Sequence, residues 1–463
     1  MEKNITFEEG CRRIEAVFER DWKGTDELAR MERLELEKRA IMGYEDAMNQ
    51  YLERINEIIE EENLGNMQFP QWYRNLSEAV FHELYGLAGL APWAYDQTEE
   101  YRRSSSAKII GDRMYCLIEG TAVLQPQTIE RQRREQLKRA LLLSTPGERL
   151  EKGFHEIYMR NGIRITIYSG DRTKDGQDVM VFRKYIMQEL TFEEMVRLGT
   201  IPEDAVPLFR VMIRLGFNVI FAGPVRSGKT TFMQIWQKHE NPSLEGLAIS
   251  TDPETPWHEI MAEAPVMQLV ADGEQLENIT RSLLRGDNDY VILEEMRDAQ
   301  AYRLALEITS TGTRRSKATV HTGDPVMLPY TMASKIRTKY GGDTQGIILQ
   351  IFRNFNYILE FCSDEDNRGR KRLKSMWEYC YDAEKDRPAV YCICRYDGSG
   401  NWKWQYHLGA DKVAAAGMRP EDFAEMEAIM KDLERRNPLT EGRVIYPRYY
   451  KPALAENPQR CEL

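Results

Sequence analysis

The sequence predicts an α/β protein whose main domain is a mostly parallel sheet with helices on both faces. Three observations carry that expectation. An apolar run at 218–222 leads straight into a glycine-bearing loop and then a helical stretch at 231–237. Further short apolar runs at 247–250 and 290–293 alternate with helical segments, as strands joined by crossover helices do. Runs at 390–396 and 402–406 flank Asp397, Gly398, Ser399 and Gly400, which reads as an antiparallel hairpin at the sheet edge.

The bulk composition bounds the rest. A chain of 463 residues has room for two or three domains. Its 63 basic and 74 acidic side chains leave a net charge of -11, which argues against a dedicated nucleic-acid binder. The first residues lack the basic and apolar regions of a signal peptide, and no apolar run approaches the ~20 residues that cross a bilayer. The seven cysteines are scattered, and the Cys392, Cys394 spacing is neither a zinc nor a thioredoxin pattern. Reduced thiols in a cytosolic protein are expected.

In chain order, residues 1–75 read as a charged helical extension. Ile41, Tyr44, Met48, Tyr51, Ile55 and Ile58 recur at steps of three and four, a stripe that packs a helix on its own domain. Residues 76–186 mix helix and strand into a smaller α+β domain. A strand at 114–118 meets a turn at Glu119 and Gly120, and runs at 164–168 and 179–185 flank a polar loop in a hairpin pattern. Thr191, with Glu194 three residues on, is a helix N-cap at the entry to the third region, 187–410. Residues 411–463 read as a helical, then proline-containing tail.

The third region carries the chemistry. Gly223, Pro224, Val225, Arg226, Ser227, Gly228, Lys229 and Thr230 satisfy G-x-x-x-x-G-K-[ST] at every fixed position, with a strand before and a helix after. Glycines let backbone N–H groups curl around a β-phosphate, and Thr231 and its neighbours add the helix N-terminus. Lys229 is expected on the β- and γ-phosphates of ATP and Thr230 on Mg²⁺. Hydrolysis also needs a carboxylate, and Glu294 and Glu295, after four apolar residues, are the leading candidates. The pair could equally sit at a helix start, where the dipole favours acid. His321 falls after a further short strand, at an end that faces nucleotide in such folds.

Together these pieces resemble the secretion or traffic ATPases, the motors of type II and type IV secretion and pilus assembly. Within that family the likeness is to the CpaF-like ATPases of Tad/Flp pilus assembly and their conjugation-type relatives. Tyr85 to Pro92 (Y-G-L-A-G-L-A-P) resembles the family's opening segment, and Gly111 to Gly120 its N-terminal-domain hairpin. Residues 164–167 and 182–185 are similar to its arginine-bearing strands, 289–297 to its Walker B stretch, and 310–321 to its histidine box. The resemblance implies a RecA-like P-loop domain behind the smaller α+β domain, assembled as a homohexamer. It also implies a cytoplasmic location on an inner-membrane platform, peripheral to the membrane, and the acidic net charge adds the expectation of no direct nucleic-acid contact. The roles implied are Glu295 orienting water, Arg183 and Arg297 stabilising charge, Arg164 contacting phosphate, and Asp252 and Glu254 as acidic-box metal ligands. Three departures stand out: Glu294 and Arg226 replace glycines, and Thr313, Arg314 and Arg315 replace a His-Asp-Gly run. They leave two readings open, a hydrolysing motor and a nucleotide-gated structural subunit.

Overall fold

The computed structural model describes residues 5–22, 27–145, 153–174, 177–186, 191–250, 255–271, 273–283, 286–365, 367–415 and 419–451. The chain forms two compact units, Met1–Gln188 and Glu189–Leu463.

The first unit opens with helices Phe7–Trp22, Glu27–Ile41 and Glu45–Glu61. The expected stripe is broken once. Gly43 takes φ 88° between the second and third helices, and Tyr44 beside it stays exposed. Ile41, Tyr51, Ile55 and Ile58 are buried, the last three in a core shared with Ile14, Phe18 and Phe81. Helices Leu76–Leu84 and Arg131–Leu143 accompany a six-stranded antiparallel sheet of β1 (Ser106–Ile110), β2 (Arg113–Ile118), β3 (Thr121–Thr128), β4 (Phe154–Tyr158), β5 (Arg164–Tyr168) and β6 (Val179–Arg183), in the order β3-β2-β1-β6-β5-β4. Alternate residues of β5 and β6 (Ile165, Ile167, Met180, Phe182) are buried in one core, the period of two that a half-buried strand requires. Arg164, Thr166, Val181 and Arg183 lie on the other face.

The second unit is built on β7 (Val219–Ala222), β8 (Gly246–Ser250), β9 (Val266–Val270), β10 (Tyr290–Met296), β11 (Lys317–Val320) and β12 (Tyr357–Ser363). These six are parallel, in the order β12-β7-β11-β10-β8-β9. Both faces of the central strands are covered, so β7, β8 and the first part of β10 read as apolar runs. Val219 and Phe221 enter one core while Ile220 and Ala222 enter the other, and Tyr290 and Ile292 alternate with Val291 and Leu293 in the same way. An antiparallel extension follows, β13 (Lys371–Asp382), β14 (Arg387–Tyr396) and β15 (Trp402–Trp404), with β15 at the edge.

The segment expected as an uninformative tail belongs to this unit. Helix Pro420–Arg436 buries Phe423, Met426, Met430 and Leu433 in the same core as Val219 and Phe221. Arg214 on helix Val206–Leu215 holds Asp422 at 2.7 Å, and Val444–Ile445 (β16) pairs with β14. A hydrophobic face of ordinary helical spacing gave no hint of its distant partner.

Because β7, β10 and β11 are parallel, their carboxyl ends lie along one edge of the sheet. That edge is where ligands bind in open α/β folds. Gly223, Glu295 and His321 all come from it.

Candidate nucleotide site

The loop after β7 is shaped by its backbone. Gly223 adopts φ 147°, and a Cβ there would stand 2.3 Å from the Phe361 carbonyl oxygen and 2.6 Å from Ser227 Oγ. Only glycine fits. Gly228 takes φ 88° and Arg226 φ 64°, both in the left-handed region. That explains the glycine expected at 226: the position demands positive φ, and arginine accepts it at a cost of about 1–2 kcal/mol. The Arg226 side chain is exposed, as are Pro224 and Val225, while Ser227 is fully buried with Oγ lacking a hydrogen-bond partner. Helix Lys229–Lys238 begins at once, with no side chain capping its first N–H groups and Thr230 and Thr231 half-buried in its first turn. A curled backbone, an orphaned buried hydroxyl and an uncapped helix N-terminus make a cradle for a polyanion.

Lys229 is the buried cation of that cradle. Its Nζ lies 3.4 Å from the Pro224 carbonyl and 3.3 Å from His321 Nδ1. Burial pushes its pKa down to about 8, with Glu295 opposing the shift and Arg297 adding to it. His321 Nε2 in turn lies 3.2 Å from Glu295 Oε1. An ammonium can only donate, so Nδ1 accepts and Nε2–H donates to the carboxylate, a tautomer assigned from the network. Lys229, His321 and Glu295 thus form one continuous chain.

The two glutamates are not at a helix start. They lie inside β10, and the next helix begins at Ala299 behind the N-cap Asp298. Leu293 pairs with Ala318 and Met296 with Val320, so Glu294 and Glu295 together oppose Thr319 in a β-bulge. Glu295 carries the bulge's φ of 56°, and its N–H donates to Thr319 Oγ1 at 2.8 Å. Such strain in a non-glycine residue persists only where surrounding structure enforces it, and it gathers at functional sites. Glu294 is buried beside it. Burial alone would raise the Glu295 carboxyl, but the His321 hydrogen bond and the charges of Arg297 and Lys229 outweigh it and hold the group below the usual range. The Arg297 guanidinium pairs directly with Glu295.

Thr313, Arg314 and Arg315 lie at the other end of β11 from His321. Arg314 donates to the Leu215 carbonyl, and Arg315 to those of Ile213 and Arg214, closing the C-terminus of helix Val206–Leu215. Arg315 and Lys317 also grip Glu240 at 2.6 and 2.7 Å, with the Lys317 and Glu240 side chains 0% and 1% exposed. This departure from the family pattern is structural and leaves the P-loop edge untouched.

Of the other sequence candidates, Asp252 and Glu254 lie outside the described residues. Arg164 and Arg183 belong to the first unit, where they are direct cross-strand partners on β5 and β6. Glu156 holds Arg164 at 2.8 Å. Like charges directly opposed cost stability unless an anion joins them. Sequence reasoning missed Thr319, whose only signal was its place between Ala318 and Val320. It also missed Ser363 and Lys371, which approach the P-loop from β12 and β13. Lys371 Nζ donates to Ser363 Oγ at 3.0 Å, and Ser363 Oγ donates to the Arg226 carbonyl at 3.3 Å.

Comparison with known proteins gives the following. The chain is 27% identical over 153 residues to type II secretion system protein E of Xanthomonas campestris pv. campestris. That stretch is 33% of this chain and 26% of the relative, so the match spans about a quarter of the curated protein. Among solved structures, the VirB11 ATPase of the Brucella suis type IV secretion system matches at 15% identity and TM-score 0.33, covering 62% of this chain and 95% of that one. The pilus retraction motor PilT with bound ADP matches at 13% and 0.43, covering 73% and 91%. The Legionella pneumophila ATPase DotB matches at 14% and 0.44, covering 76% and 88%. Residues 173–334, which hold the P-loop, the β10 bulge and His321, match the family described as type II/IV secretion system protein.

Proposed function

We propose that this chain hydrolyses ATP at the P-loop and acts as the motor of a secretion or pilus-assembly machine of the CpaF-like kind. In this reading it works as a homohexamer at the cytoplasmic face of the membrane, docked on an inner-membrane platform protein, without binding nucleic acid directly. No described helix is long and apolar enough to cross a membrane. The observation that carries the reading is the Lys229–His321–Glu295 chain beside the Gly223–Gly228 cradle.

Each residue then has a role. The loop N–H groups and Ser227 bind the β-phosphate, and Lys229 neutralises the γ-phosphate. Glu295 accepts a hydrogen bond from the attacking water and aims it, while His321 fixes the carboxylate and relays its position to Lys229. Thr230 and Glu294 would hold Mg²⁺, with Asp252 and Glu254 as further candidate ligands, and the ion would supply further charge neutralisation. Arg297 adds positive charge near Glu295, and Arg164 and Arg183 contact the phosphates. The test is kinetic. Full-length protein with ATP and Mg²⁺ should release phosphate in steady state, and Arg183→Ala should lower turnover more than nucleotide affinity. Absence of phosphate release from well-folded, nucleotide-bound protein would leave the gated structural subunit instead.

A further inference from the structure

The strand order divides the P-loop edge into two sides. β7 stands between β11, with β10 beyond it, and β12, with β13 beyond it. His321 and Glu295, the groups that act on a γ-phosphate, come from the first side. A nucleotide lying across the loop must therefore send its nucleoside end toward the second side, where β12 and β13 meet it.

That side is furnished. Lys371 lies against the loop: a Cβ on Gly228 would stand 3.4 Å from Lys371 Cγ. Its Nζ donates to Ser363 Oγ and to the Arg368 carbonyl, both neutral acceptors, which uses two of an ammonium's three donors. Ser363 Oγ ties the same group to the Arg226 carbonyl within the P-loop. Asp364, whose charge acts on Lys371, is paired with Arg372 at 3.6 Å. Burial lowers the Lys371 pKa and the Arg226 cation lowers it further, while the Asp364 charge opposes the shift. The position therefore holds a half-desolvated cation, fixed against the phosphate cradle and hydrogen-bonded to neutral acceptors.

We infer that Lys371, held by Ser363, is a second phosphate-binding cation that grips the nucleotide at its α-phosphate, on the side of the loop opposite Glu295. This rests on the reading of the P-loop as an ATP site. A contact at the α-phosphate is shared by substrate and product and does not change in the transition state, so it governs affinity and leaves the chemical step alone.

The experiment compares wild type, Lys371→Ala and Lys371→Arg in the full-length chain, measuring equilibrium binding of ADP and ATP, steady-state hydrolysis and thermal melting. Lys371→Ala should weaken ADP and ATP by the same factor, about tenfold or more, as expected when a charged hydrogen bond is lost. Its kcat at saturation should stay within about threefold of wild type, and Lys371→Arg should recover most of the affinity. Unchanged ADP affinity in a Lys371→Ala protein that melts like wild type would overturn the inference, as would weakened ATP binding with ADP binding intact. So would a fall in kcat alone. Failure of the underlying reading looks different: wild type itself would then bind neither nucleotide.

Discussion

Replacing Glu295 by glutamine removes one negative charge while keeping the side chain's shape and the left-handed backbone of the β10 bulge. Glycine would relax that backbone and confound the result. Two consequences follow from the geometry. The carboxylate that accepts from His321 and aims water is lost, so turnover should fall at least ~10²-fold, equivalent to about 2.7 kcal/mol on the barrier. ATP should remain bound, because Lys229, the loop N–H groups and the helix N-terminus are untouched. The second consequence is electrostatic. Glu295 supports the protonated form of Lys229, whose pKa burial has already lowered to about 8. Without that charge, Lys229 should lose its proton at lower pH, and the alkaline limb of nucleotide binding should move down with it. Steady-state phosphate release and equilibrium binding of a fluorescent nucleotide, measured across pH 6–9 on one preparation, read both effects. Glu294→Gln serves as the control and should be much milder. An active Glu295→Gln beside a dead Glu294→Gln would place the catalytic carboxylate one residue earlier and refute the reasoning.

Two further outcomes are expected. Lys229 must be protonated to meet phosphate, and among Glu295, Arg297 and His321 around it only Glu295 favours that state through its charge; nucleotide binding should therefore take up a proton above about pH 8, weakening as pH rises, and calorimetry in buffers of different ionisation enthalpy should detect the uptake, while Lys229→Arg should remove it. Glu240→Gln should destabilise the protein by about 3–5 kcal/mol, because it leaves the Lys317 ammonium buried without its counter-charge, and adding Lys317→Met should restore much of the loss; a melting temperature unchanged by Glu240→Gln would contradict the clamp.

What could be read from the sequence was what is contiguous. The P-loop is eight successive residues bounded by a strand and a helix, and each fixed position has a local physical reason, so its site was legible at once. Glu294 and Glu295 stood out as a pair because acid follows four apolar residues, and the choice of Glu295 between them came from the family resemblance alone. The bulge was not, since it arises from pairing with Ala318 and Val320 across more than twenty residues of chain. Arg314 and Arg315 looked like a damaged motif because their partners, the carbonyls of a helix that ends at Leu215, lie about a hundred residues earlier. Ser363 and Lys371 carry no motif at all, and only the hydrogen-bonded order of β7, β12 and β13 brings them to the loop. The helix Pro420–Arg436 has an ordinary apolar face, and nothing local indicates that it completes the core behind the P-loop strand.

The most direct test of the central claim is steady-state phosphate release by the full-length chain and by Lys229→Ala, each shown by thermal melting to be folded. Lys229→Ala withdraws the buried ammonium that links the phosphate cradle to His321 and Glu295. Activity in the wild type that is abolished in the variant is the expected result. Equal activity in the two proteins, from clean preparations, would contradict the assignment of this loop as the ATP site.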